Sequence, residues 1–117
     1  MKIGLIGTGR LGICLALLMG EAGYEVLASD VREDYVQSLN NKQVDNGEPL
    51  VKDLLTESIN VSFTTDNKQV IRECDVIYTL VATPSLDDGS YDVSAVWNVV
   101  KDIKDEMTLI ANYTKAF

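Results

Sequence analysis

Three glycines and one aspartate carry most of the chemistry that can be read from the first thirty residues. Gly7, Gly9 and Gly12 stand in the run Gly7-Thr8-Gly9-Arg10-Leu11-Gly12, directly after an apolar segment, Lys2 to Ile6. Asp30 closes a second apolar segment, Glu25 to Ser29. Gly7 lets the chain turn sharply as it leaves a strand, Gly9 lacks the side chain that would hold the backbone away from a diphosphate, and Gly12 lets a new helix pack closely. A helix starting near Arg10 and Leu11 would aim unpaired N–H groups and the positive end of its dipole at the same anion. Asp30 follows at the distance where a carboxylate accepts hydrogen bonds from an adenosine ribose. The order strand, glycine turn, helix, strand, acid is that of a dinucleotide-binding βαβ unit. Because the Asp30 charge would repel a 2′-phosphate, NAD is favoured over NADP, although Arg32, two residues further on, has the chemistry to contact such a phosphate.

The elements that must position these residues follow from the pattern of apolar side chains. Arg10 to Ala22 is expected to be a helix with apolar residues all round, enclosed between a sheet and other protein, and Gly23 supplies its stop. Asp34 to Asn40 is expected to form a shorter helix. A polar loop, Asn41 to Glu48, then leads to Pro49 in the first turn of a helix carrying Leu50, Leu54 and Leu55. Ile59, Val61 and Phe63 alternate with polar residues, the period of a half-buried strand. Asp66 is a candidate cap for a helix through Ile71 and Arg72, and Asp75 to Val81 is the next strand. After the turn-forming residues Thr83-Pro84-Ser85 and Asp87-Asp88-Gly89, Val93, Val96, Trp97, Val100, Ile103 and Met107 recur at helical spacing. Thr108 to Ala111 is expected to open a last strand. Strands alternating with helices imply an α/β, Rossmann-type doubly wound parallel sheet of about five strands in the order 3-2-1-4-5. Residues 1–117 are expected to form one dinucleotide-binding domain. Its outermost strand would be an open edge, where chains can self-associate into a homo-oligomer.

Composition bounds the remaining possibilities. The chain has a net charge of −8, which argues against a nucleic-acid or anionic-membrane surface. No apolar run reaches membrane-spanning length and no signal-peptide pattern opens the chain, so a cytoplasmic location is expected. There are two cysteines, Cys14 and Cys74, and no histidine, so metal-site and redox-pair spacings are missing. Both cysteines are expected to be small buried or half-buried residues, and neither has a visible base to activate it.

Several short segments together resemble one family, the nucleotide-sugar 6-dehydrogenases, which includes UDP-glucose and GDP-mannose dehydrogenases. They are Lys2 to Gly9, Gly23-Tyr24-Glu25-Val26 leading to Asp30, Glu48-Pro49 before Leu50, Phe63-Thr64-Thr65-Asp66, Cys74-Asp75-Val76-Ile77, and Thr83-Pro84-Ser85 with Asp88-Gly89. The likeness covers residues 2 to 105 or so. It implies an N-terminal NAD-binding domain in which Gly7, Gly9 and Gly12 surround the pyrophosphate, Asp30 holds the adenosine ribose, and Thr83 lies along the nicotinamide. Arg10, where the family usually has an aromatic residue, either adds positive charge beside the phosphates or is a solvated side chain. The resemblance also implies that the whole enzyme oxidises the sugar's C6 alcohol to a carboxylate in two hydride transfers. The family's nucleophilic cysteine, and the central helical and C-terminal domains, have no counterpart in these residues. The chain is therefore expected to bind NAD without turnover, and to meet a nucleotide sugar only when completed by those domains. The alternatives are a non-catalytic NAD-binding regulatory module and the cofactor domain of a 3-hydroxyacid-type dehydrogenase.

Overall fold

Four strands and five helices follow one another along the chain in a computed structural model that describes residues 1–44 and 50–115, the side chains of 108–115 excepted. The strands are β1 (Lys2–Ile6), β2 (Glu25–Ser29), β3 (Val61–Thr64) and β4 (Val76–Thr79); the helices are α1 (Arg10–Glu21), α2 (Glu33–Asn40), α3 (Val51–Glu57), α4 (Asn67–Glu73) and α5 (Ser94–Lys115). All strand pairings are parallel, in the order β3-β2-β1-β4. Ile3 is level with Val26 on one side and Val76 on the other, which fixes the register of the central strand.

A parallel sheet must be covered on both faces, and the alternation of β1 and β2 divides their side chains accordingly. Ile3, Leu5, Val26 and Ala28 pack with Ile13, Ala16 and Leu17 of α1, Val36 and Leu39 of α2, and Leu55 of α3. Ile6 and Leu27 point the other way, to Val70 of α4 and Val99 of α5. The doubly wound architecture expected from the sequence is therefore present.

The ends of the elements have local causes. Gly23, at φ +100°, ends α1 in a Schellman arrangement: its N–H donates to the Gly20 carbonyl at 3.0 Å and the Tyr24 N–H to the Met19 carbonyl at 3.2 Å. Asp66 caps α4 by accepting the Lys68 N–H at 3.0 Å. The Asp92 carboxylate accepts the Ser94 N–H at 2.9 Å as α5 begins.

Three expectations need correction, and one lies outside the described residues. Thr108 to Ala111 does not open a fifth strand but continues α5, so the sheet ends at β4. An added helical turn gains a hydrogen bond per residue without new nucleation, whereas a four-residue edge strand gains a single ladder. Ile59 is 97% exposed and precedes β3 rather than belonging to its inner face. The apolar circumference of α1 is covered on one side only, since Leu11 and Leu18 are exposed. Glu48 and Pro49, with most of the loop before them, fall outside the described residues.

Candidate dinucleotide site at the carboxyl edge of the sheet

A cavity of about 360 Å³ opens at the carboxyl ends of β1, β2 and β4. Ile6, Gly7 and Gly9 form one wall, Ser29, Asp30, Val31 and Arg32 a second, and Leu80, Val81 and Ala82 a third, with Asn67 and Ala95 closing it. The strand order reverses between β1 and β4, and ligands of open α/β sheets bind at such a switch point.

The turn after β1 is built from its glycines. Gly7 sits at φ +102°, and a side chain there would start 2.5 Å from the Leu80 carbonyl oxygen, so both the backbone angle and the β4 connection require glycine. Its N–H donates to the Ser29 carbonyl at 2.9 Å, and the Leu80 N–H donates to the Ile6 carbonyl at 2.7 Å, tying the turn to both neighbouring strands. Gly12, buried one turn into α1, faces the Gly7 carbonyl oxygen so closely that no Cβ fits between them. Gly9 differs from both: a Cβ added there would meet nothing within 4 Å, and the residue itself lines the cavity. As the N-cap of α1, Gly9 leaves the first turn without a side-chain cap, and that turn contains no acidic residue. The N–H groups of this first turn are therefore not taken up by a capping side chain or an acid of the helix itself.

Asp30 is held rather than free. Only 9% exposed, it accepts the Thr8 N–H on Oδ2 at 3.3 Å. Arg32 donates to Oδ1 from its backbone N–H at 3.0 Å and from Nε at 2.9 Å, and to Oδ2 from Nη2 at 3.1 Å. Burial alone would raise the Asp30 pKa, but the hydrogen bonds and charge of Arg32, helped by Thr8, hold it below the ordinary carboxylate value. The Arg32 guanidinium also lies over the Tyr35 ring, 4.1 Å from its centroid. Thr8, fully buried, donates from Oγ1 to the Ser29 carbonyl at 2.7 Å, and so joins the glycine turn to the end of β2.

Of the residues singled out in the sequence, the structure brings Gly7, Gly9, Asp30 and Arg32 together around one cavity, with Gly12 directly behind the turn. Arg10 and Leu11 are exposed at the start of α1 and do not line it, and neither does Thr83, although Ala82 just before it does. Sequence reasoning missed Asn67 and Ala95, which reach the cavity from the first turns of α4 and α5. Asn67 accepts the Ser29 hydroxyl on Oδ1 at 2.7 Å. Neither cysteine lines the cavity; both are half-buried, and burial pushes the Cys74 thiol pKa up.

The sequence profile of the UDP-glucose/GDP-mannose dehydrogenase family, NAD binding domain, matches residues 1–111. The chain belongs to this family. It is 32% identical over 109 residues to the UDP-glucose 6-dehydrogenase TuaD of Bacillus subtilis, a match covering 91% of this chain and 24% of that protein. With the UDP-glucose 6-dehydrogenase AglM of Haloferax volcanii it shares 34% over 98 residues, covering 82% and 23%. Among solved structures, a ternary complex of GDP-mannose dehydrogenase from Pseudomonas aeruginosa superimposes with a TM-score of 0.86 at 28% identity, covering 92% of this chain and 25% of that one. The chain thus spans about a quarter of the length of these relatives. The family's NAD-binding domain is the part matched, and NAD is its cofactor. Among the described residues, no helix is long and apolar enough to cross a membrane, and no cluster of His, Cys, Asp or Glu could hold a metal ion.

Proposed function

We propose that residues 1–117 form the cofactor-binding domain of a cytoplasmic nucleotide-sugar 6-dehydrogenase, and that the isolated chain binds NAD without oxidising sugar. In this reading the pyrophosphate lies on the backbone of Gly7, Gly9 and Gly12 at the start of α1, and Asp30 accepts the adenosine ribose hydroxyls. The nicotinamide end runs toward the connection after β4, near Ala82 and Thr83. The carrying observation is the open space at Gly9: a missing side chain there leaves room for a ligand, whereas those at Gly7 and Gly12 leave room for protein. Bound there, NAD supplies a hydride acceptor. The chain itself orients the dinucleotide and, through Ile6, Leu80, Val81 and Ala82, provides an apolar wall beside it.

Turnover needs a nucleophilic thiol at the cofactor, and this domain has none in place. Cys14 packs against the core and Cys74 against α4, outside the cavity. The relatives' greater length fits a reading in which oxidation of the C6 alcohol requires further domains. The exposed Val76 and Tyr78 on β4, an edge strand, mark where a further strand or a second copy would attach. The test is calorimetry with NAD, followed by UDP-glucose and GDP-mannose, with absorbance monitored for NADH. Saturable NAD binding without NADH formation is expected; steady NADH production by the 117-residue chain would overturn the reading.

A further inference from the structure

Arg32 occupies the carboxylate on which the ribose reading depends. Both oxygens of Asp30 are engaged by it, at 2.9 Å and 3.1 Å from the side chain, while Arg32 itself is 57% exposed at the rim of the cavity. We propose that Arg32 makes this a dual-cofactor site: it screens Asp30 and presents a docking group for a 2′-phosphate, so the domain accepts NADP alongside NAD. The proposal rests on the placement of the adenosine ribose at Asp30.

A bare acid at the end of β2 excludes a 2′-phosphate by charge and welcomes a diol. Here the acid carries its own counter-charge, so the local field that would reject the phosphate is cancelled. Guanidinium has five N–H donors, and the salt bridge uses two; the other three, in a planar fork, suit a phosphate's oxygens. The Tyr35 ring beneath the guanidinium gives it a second anchor, so the cation keeps its place beside Asp30 while its remaining donors take up a phosphate. The same contact works against NAD, because ribose hydroxyls must compete with Arg32 for the Asp30 lone pairs. Both effects narrow the gap between the two cofactors.

The test is titration of the chain with NAD and with NADP, repeated for Arg32→Ala and Arg32→Gln, with thermal melting to verify that each variant folds. The native chain is expected to bind the two dinucleotides within about tenfold of each other. Both variants are expected to lose about tenfold or more in NADP affinity while keeping or gaining affinity for NAD. Native rejection of NADP by about a hundredfold or more, or equal losses for both cofactors in the variants, would overturn the proposal while leaving NAD binding intact. Failure of the folded native chain to bind either dinucleotide would sink the ribose placement and this inference together.

Discussion

The carbonyl oxygen of Gly7 occupies the space that a side chain on Gly12 would need. Strand β1 and helix α1 can therefore meet at this angle only because residue 12 has no Cβ, while a Cβ on Gly9, three residues earlier, would meet nothing within 4 Å. One motif thus contains two kinds of glycine, one whose missing side chain serves the packing of the fold and one whose missing side chain no neighbour requires.

Substitution should separate them. Gly12→Ala is expected to destabilise the domain by about 1–3 kcal/mol through overpacking, measured by urea denaturation. Gly9→Ala is expected to cost only about 1 kcal/mol or less, as a poorer N-cap, yet to weaken NAD binding about tenfold or more in calorimetry.

Acid should act through Asp30. Its folded pKa is held below the ordinary value, so its contribution to stability is complete above an unfolded pKa of about 4 and is lost as the pH falls through the folded value. The native chain is expected to be more stable than Asp30→Asn near neutral pH, with the difference in melting temperature closing below about pH 4. A gap that stays constant down to about pH 2 would remove the ion pair from the account.

The packing of α4 on α5 offers a third case. Glu106 is buried with Oε2 unbonded among the described residues, and its charge is met by Arg72 Nε at 3.7 Å. Glu106→Leu is expected to leave the denaturation midpoint unchanged or raise it, because a desolvated acid is exchanged for apolar packing. Arg72→Ala, which leaves that acid without its cation, is expected to cost about 1–3 kcal/mol.

Leu5 reports on the central strand. It is fully buried between β2 and β4 and packs toward α1. Leu5→Ala is expected to destabilise by about 2–5 kcal/mol in the same denaturation assay, a cavity cost that no surface side chain can relieve.

What was legible in the sequence is what local patterning controls. Lys2 to Ile6 and Glu25 to Ser29 read as buried strands because a parallel sheet needs apolar residues on both faces, and Asp66 and Gly23 punctuate helices by their own hydrogen bonds and backbone angle. Thr108 to Ala111 was not legible: a short apolar run suits a strand as well as a helix, and continuity with α5 decided it. Gly7, Gly9 and Asp30, singled out by spacing, line one cavity. The arrival of Asn67 and Ala95 depended on packing between distant segments, as did the exclusion of Arg10, Leu11 and Thr83 from the cavity wall. The two-pronged hold of Arg32 on Asp30 was equally invisible, since two residues of separation say nothing about which rotamer closes.

The central claim is tested most directly by two-dimensional amide NMR of the domain during titration with NAD. Saturable shifts are expected at Gly7, Gly9, Leu11, Asp30 and Ala82, converging on the carboxyl edge of the sheet. Shifts confined to α3 or to the β4 edge, with the Gly7 and Gly9 amides unmoved at saturation, would contradict it.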